Sequence, residues 1–286
     1  MPILSGNARL AGVLGWPVAH SRSPRLHGFW LERHGIDGAY LPLAVRPEGF
    51  ADAVRGLRAA GFQGCNVTVP HKVAAFEFSD VVDDSARRAG AVNTLVFSAS
   101  GIVGSNTDGI GFLNNLRAHG VDPQAGPALI LGAGGAARAI VACLQDLGVR
   151  VSVCNRTRER AEVLARDLPG LRVLDWEVRA EAVADHALLV NTTTIGMQKA
   201  GETVAGIAVD LSRAPAGMAV ADIVYVPLET PLLAAARAAG LRPVEGLGML
   251  LHQAVPGFSA WFGVTPVVDD ALRRFVAADL LPGKAA

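Results

Sequence analysis

Short runs rich in β-branched residues alternate along the chain with Ala/Leu-rich helical stretches. That alternation predicts parallel sheets with helices on both faces, an α/β fold class. Strands are expected at Leu10–Leu14, Ala128–Leu131 and residues 149–154. Ser23-Pro24 and Thr230-Pro231 each put a capping hydroxyl before a proline at the first helical position, and Gly35 and Gly240 stand where left-handed helix stops belong. Between Asn106 and Gly111 the first set of elements gives way to a helix ending near Gly120 and a loop from Val121 to Pro127, after which a second set begins. The reading is a two-domain protein: residues 1–110, residues 111–245, and a C-terminal helical segment, 246–286, that packs back on the first domain. The stretch Gly246–Val268 lacks Asp, Glu, Lys and Arg, but His252, Gln253, Ser259, Thr265 and two prolines mark it as a buried helix with its exit loop, not a membrane span.

Composition narrows the class. With 51% hydrophobic and 18% charged residues, the chain has enough apolar surface to offset its ordering entropy, which excludes a disordered protein. Lys plus Arg and Asp plus Glu each number 26, so no positive excess points to nucleic acid or an anionic membrane. Cys65, Cys143 and Cys154 form no CxxC and are expected as reduced core residues in a cytoplasmic protein. The first twenty residues do not read as a signal peptide. No histidines stand at HxH or HExxH spacing, so no metal site is expected.

Residues 127–148 read PALILGAGGAARAIVACLQDLG: a strand, a glycine turn and an Ala-rich helix. Gly132 permits the tight turn, Gly134 lets backbone approach a pyrophosphate, and Ala137 allows close helix–strand packing, while amides at the new helix's N-terminus face the phosphates. The next strand ends at Asn155-Arg156-Thr157, where a Rossmann-type domain meets the adenosine ribose. A carboxylate there would select NAD. Neutral Asn155 followed by Arg156, Arg158 and Arg160 favours a 2′-phosphate, hence NADP. Arg158 is the arginine best suited instead to a solvated helix start capped by Thr157.

Three polar clusters of the first domain have no evident structural need. In His20-Ser21-Arg22-Ser23, two hydroxyls can converge on one small polar ligand, although Ser23 also suits a helix cap. In Asn66-Val67-Thr68-Val69-Pro70-His71-Lys72, alternation sends Asn66 and Thr68 to one face. The third comprises Asn93-Thr94 and Asn106-Thr107-Asp108-Gly109.

The segments GWPVAHSRSPRLH, NVTVPHK, GAVNTL, NTDGIGF, GAGGAARA, NRTRERA, VYVPLETPLL and GLGMLLHQA occur in the order found in shikimate dehydrogenases, and the chain resembles that family over nearly its whole length. The resemblance implies a substrate domain and a doubly wound NADP domain that together catalyse reversible NADPH-dependent reduction of 3-dehydroshikimate to shikimate. It implies that Ser21, Ser23, Thr68, Asn93, Asp108, Tyr225 and Gln253 hold substrate, with Lys72 and Asp108 as the catalytic pair. It further implies that Gly132, Ala133, Gly134, Gly135 and Ala136 hold pyrophosphate, that Asn155, Arg156, Thr157 and Arg160 hold the adenosine end, and that Ile223, Gly246 and Met249 hold the nicotinamide end, with Asp84 as a further cofactor contact. Met249 also suits plain core packing, as does Trp261. His27-Gly28 and Asn191–Met197 depart from the commonest family pattern.

The residue types suit the chemistry. Hydride arriving at a carbonyl carbon leaves negative charge on its oxygen, which a nearby ammonium stabilises and protonates. Tyr225 and Gln253 lie far from Ser21 in sequence, so the expected site is an interdomain cleft. The expected partner is a small molecule and the expected state a monomer or homodimer. Two other readings stay open: a relative acting on quinate or an aminated analogue, and a non-catalytic NADP-binding sensor.

Overall fold

The computed structural model describes residues 3–198, 205–278 and 280. The chain forms two compact units, Met1–Thr107 with Gln253–Val276, and Asp108–His252 with Ala277–Ala286.

The first unit runs β1 (Arg9–Gly15), α1 (Ser23–Arg33), β2 (Gly38–Ala44), α2 (Phe50–Ala59), β3 (Gly64–Val67), α3 (Lys72–Phe78), β4 (Val81–Val82), α4 (Asp84–Ala89), β5 (Thr94–Ser98) and β6 (Gly101–Ser105). Its sheet has the order β2-β1-β3-β5-β6-β4. β1 pairs in parallel with β2 and β3, as helical crossovers require. The sheet departs from the all-parallel expectation at β5, which is antiparallel to both β3 and β6. Only residues 99–100 separate Ser98 from its partner Gly101, and so short a link can close only a hairpin.

The second unit runs α5 (Asp108–Ala118), β7 (Ala128–Leu131), α6 (Gly135–Asp146), β8 (Val151–Cys154), α7 (Arg158–Asp167), β9 (Arg172–Leu174), α8 (Arg179–Ala182), β10 (Leu188–Asn191), β11 (Ala219–Asp222), α9 (Pro231–Ala238) and β12 (Arg242–Val244). All strands are parallel in the order β12-β11-β10-β7-β8-β9, so the winding reverses between β7 and β10. The carboxyl ends of strands at such a reversal form the ligand crevice of a doubly wound sheet. β7, β8, β10 and β11 are buried along their whole length, as strands covered by helices on both faces must be.

The charge-free segment forms α10 (Leu247–Phe262), and α11 (Asp270–Ala277) follows it. From Gln253 onward α10 belongs to the first unit. There the indole N–H of Trp261 donates to the Leu95 carbonyl at 3.0 Å. Gly64 leaves room for that ring: a Cβ on it would stand 2.3 Å from Trp261 Nε1. Arg9 donates to the Phe262 carbonyl at 2.9 Å, and Trp30 Nε1 to that of Val267 at 3.2 Å. Cys65 and Cys154 are buried, and burial pushes their thiols up to about 12 and about 11; Cys143 is half-buried. Among the described residues no helix is long and apolar enough to cross a membrane.

Candidate active site

The polar clusters of the first unit meet through buried hydrogen bonds. The Asn93 side-chain oxygen accepts from the Thr107 N–H at 2.9 Å and from the Thr94 hydroxyl at 2.9 Å. The Thr107 hydroxyl lies 3.2 Å from that oxygen and 3.3 Å from Gln253 Oε1, so its single proton can serve either. Asn93 and Gln253, 160 residues apart, thereby share one neighbour. Asn66 Nδ2 donates to the Asn93 carbonyl at 3.2 Å and to Thr94 Oγ1 at 3.1 Å, and its oxygen accepts from the Tyr40 hydroxyl at 2.6 Å. Burial holds the Tyr40 phenol well above its ordinary pKa, while the Ser23 hydroxyl hydrogen-bonds it and pulls the other way.

Lys72 opens α3 and is half-buried. The turn before it is closed by the His71 N–H on the Thr68 carbonyl, and the Lys72 carbonyl accepts from the Val92 N–H, both at 2.9 Å. The lysine backbone is thus tied to the residue preceding Asn93. Half-buried Thr68 is fixed by its N–H on the Leu14 carbonyl at 2.9 Å.

The two serines differ from the capping expectation. Ser23 lies inside α1, and it is Ser21 Oγ that accepts from the Ser23 N–H, at 3.3 Å. Ser23 is buried and turned to Tyr40, whereas Ser21 is half-buried. Thr230 does cap α9, accepting from the Leu233 N–H at 3.4 Å. Asp84 is exposed and pairs with Arg87 one turn along α4, at 2.9 Å.

In the second unit, buried Asp108 is the first residue of α5. The glycine turn follows β7. Gly132 has φ +111°, and a Cβ there would stand 2.6 Å from Thr192 Oγ1. Gly134 and Gly135 are exposed; among the described residues nothing beyond their own chain neighbours and helix backbone lies within 4 Å of where a Cβ would stand, and no side chain caps the first amides of α6. Between half-buried Ala133 and Ala136, this is an open cradle of N–H donors that fits a pyrophosphate. Ala137 is fully buried, as close helix–strand packing requires.

At the end of β8, Asn155 Nδ2 donates to the Thr157 carbonyl at 2.6 Å. Thr157 is the N-cap residue of α7, but its side chain makes no cap bond. Arg158 is engaged by Glu162, at 2.8 Å, and by Asp175. Arg156 and Arg160 are exposed and have no such ion pair among the described residues. Ile223 and Tyr225 are half-buried in the loop after β11, and Gly246 is packed so close to that loop that a Cβ would stand 2.5 Å from the Ile223 carbonyl oxygen. Met249 lies within the unit's apolar core.

Comparison with known proteins matches residues 13–95 to the shikimate dehydrogenase substrate binding domain and residues 119–198 to shikimate/quinate 5-dehydrogenase. The NADP(+)-dependent shikimate dehydrogenase of Acidiphilium cryptum is 72% identical over 98% of this chain and 99% of its own. The chain belongs to the shikimate dehydrogenase family. Among solved structures, shikimate 5-dehydrogenase from Thermus thermophilus in complex with NADP(H) and shikimate is 39% identical, with TM-score 0.84, over 96% of this chain and all of that one. A ligand-free 5-ketofructose reductase of a Gluconobacter strain is 31% identical, with TM-score 0.89, over 97% of this chain and all of that one.

Within this shikimate dehydrogenase fold, the residue pattern alone does not single out Tyr40, whose buried hydroxyl orients Asn66, or Asp222 and Asn191, which face each other at the ends of β11 and β10. For Asp222 the signal present in the sequence is one carboxylate inside an otherwise apolar run, AVADIVYV.

Proposed function

We propose that the protein is an NADP-dependent shikimate dehydrogenase that reversibly reduces 3-dehydroshikimate to shikimate, on the route to chorismate and the aromatic amino acids. The observation that carries this reading is the 72% identity to an NADP(+)-dependent shikimate dehydrogenase along essentially the whole of both chains. The two polar sites support it. In the first unit Ser21, Ser23, Thr68, Asn93 and Gln253 offer donors and acceptors suited to a small polyhydroxylated acid, and in the second Asp108 and Tyr225 offer a carboxylate and a phenol suited to the same class of ligand. Gly132 to Ala136 hold the pyrophosphate, Asn155, Arg156, Thr157 and Arg160 the adenosine end, and Ile223, Gly246 and Met249 the nicotinamide end. Asp84, engaged with Arg87, is the most peripheral of the assigned cofactor contacts.

NADPH, when bound, supplies a hydride. The Lys72 ammonium stabilises the negative charge that grows on the carbonyl oxygen and passes a proton to it; in the oxidative direction the neutral amine takes that proton back from the hydroxyl. Asp108 accepts from a substrate hydroxyl and fixes the ring's orientation. One chain carries every group named, so a monomer suffices and a homodimer would repeat the same site. Three cysteines that form no CxxC fit the reducing cytoplasm.

The test is a grid of initial rates with shikimate or quinate and NADP⁺ or NAD⁺. Activity concentrated on shikimate with NADP⁺ supports the reading. Preference for quinate with NAD⁺ replaces it with a quinate dehydrogenase, and silence in all four combinations with intact NADPH binding replaces it with a sensor.

A further inference from the structure

At the carboxyl ends of β10 and β11, two buried polar side chains face each other that the chemistry above leaves unused. Asp222 closes β11 and is 2% exposed, and Asn191 closes β10 and is fully buried. Asp222 Oδ1 accepts from Asn191 Nδ2 and from the Val224 N–H, each at 3.0 Å, and Oδ2 accepts from the Thr230 hydroxyl at 2.7 Å. One carboxylate therefore grips a strand end, the start of the 223–230 loop and the N-cap of α9.

Asn191 extends the grip. Its oxygen accepts from the Thr193 N–H at 3.0 Å and the Thr193 hydroxyl at 2.8 Å, and Nδ2 also donates to the Ile195 carbonyl at 3.0 Å. All four of its hydrogen-bonding positions are used, so the amide has a single orientation. Next to it, the Thr192 hydroxyl donates to the Leu131 carbonyl at 2.8 Å and backs directly onto Gly132. Three loops at the winding reversal are joined in this way: the phosphate turn, the loop after β10, and the loop bearing Ile223 and Tyr225.

A carboxylate is costly to bury, and burial does raise the Asp222 carboxyl above its usual range against the pull of its three donors. What the carboxylate provides and a neutral amide cannot is two acceptor oxygens at once, facing donors on both sides. We infer that Asp222 is a positioning residue for the nicotinamide half of the bound dinucleotide: it fixes the backbone of Ile223 and Val224 in the conformation that packs against Gly246. The adenosine half rests on the end of β8, where none of the Asp222 hydrogen bonds reaches. The inference rests on reading the crevice as an NADP site.

Binding separates the two halves. Titration calorimetry with NADPH and with adenosine 2′,5′-bisphosphate, which lacks the nicotinamide half, is run on the wild type, Asp222→Asn, Thr230→Val and Thr230→Ser. Asp222→Asn offers one oxygen where two are needed and should weaken NADPH by about 10-fold or more while leaving the bisphosphate within about 2-fold. Thr230→Val removes one of the three bonds and should weaken NADPH by about 3-fold, with Thr230→Ser restoring wild-type affinity. Equal losses for both ligands, or unchanged NADPH affinity, overturn the inference. Should Asp222→Asn not fold, the Thr230 pair decides on the same criterion. A wild type that takes up neither ligand overturns the NADP reading itself, an outcome distinct from any result with the variants.

Discussion

The imidazole of His27 lies flat on the phenol of Tyr40, with 3.9 Å between centroids and 2° between planes. Trp30, Phe258 and Trp261 complete the aromatic box. Through Tyr40, whose hydroxyl donates to Asn66, this box carries the floor of the polar site. An apolar wall thus sets the orientation of an amide beside Asn93.

The box makes stability depend on acid. Burial pushes His27 down to about 3 from an ordinary value of 6.5. Above pH 6.5 the ring is neutral whether the chain is folded or not, so the residue contributes no slope. As pH falls from 6.5 towards 3, the unfolded chain binds a proton that the folded one refuses, and stability is lost by up to about 1.4 kcal/mol per pH unit. Urea unfolding at pH 7 and pH 5 should show a loss in the wild type about 1–2 kcal/mol larger than in His27→Phe. Equal losses in the two proteins would place the acid sensitivity elsewhere.

Tyr40→Phe keeps the stack but leaves the buried Asn66 oxygen without its donor. Equilibrium unfolding should register about 1–3 kcal/mol of lost stability. Since Asn66 also bonds the Asn93 carbonyl, KM for shikimate should rise several-fold while KM for NADP⁺ holds. A shift in the cofactor constant alone would contradict the assignment of this network to the substrate side.

Lys72 is the proposed proton donor, and it stands half-buried at the start of α3. Lys72→Ala should therefore unfold like the wild type yet lose about 10²–10⁴-fold in kcat, with a smaller change in KM for shikimate. A rate near wild type would remove the residue from the mechanism.

The arginines after β8 divide by their partners. Arg158 is occupied by Glu162 and Asp175, whereas exposed Arg156 and Arg160 are not. Steady-state kinetics should show Arg156→Ala and Arg160→Ala raising KM for NADP⁺ by about 10-fold or more, with little change for NAD⁺, because a guanidinium–phosphate pair is lost only with the former. Arg158→Ala should shift both cofactors little. Equal effects on the two cofactors from Arg156 and Arg160 would assign those residues to folding.

Much of the second unit is legible in the chain because its signals are local. Four apolar residues between a proline and a glycine turn make β7 at the expected Ala128–Leu131, and Ala137 is small because the helix and strand touch there. The left-handed stops at Gly35 and Gly240, with φ of +59° and +70°, are equally local, since their neighbours end the helix. The substrate-side network is different in kind. That Ser23 turns to Tyr40 instead of capping α1 depends on how the helix sits on β2. That Thr107 stands between Asn93 and Gln253 depends on the sheet order that brings α10 to the first unit, where Trp261 bonds Leu95. Asp222 reads in the sequence as one charge inside an apolar run; donors from β10, the loop after β11 and the N-cap of α9 make it a hub only after β10 and β11 are paired. Residue type and local spacing determined the dinucleotide turn and the elements around it, and the order of the motifs carried the resemblance that implies the reaction. Hydrogen-bond partners distant in sequence were decided by tertiary structure, because a polar side chain can be buried only where folding supplies its complement.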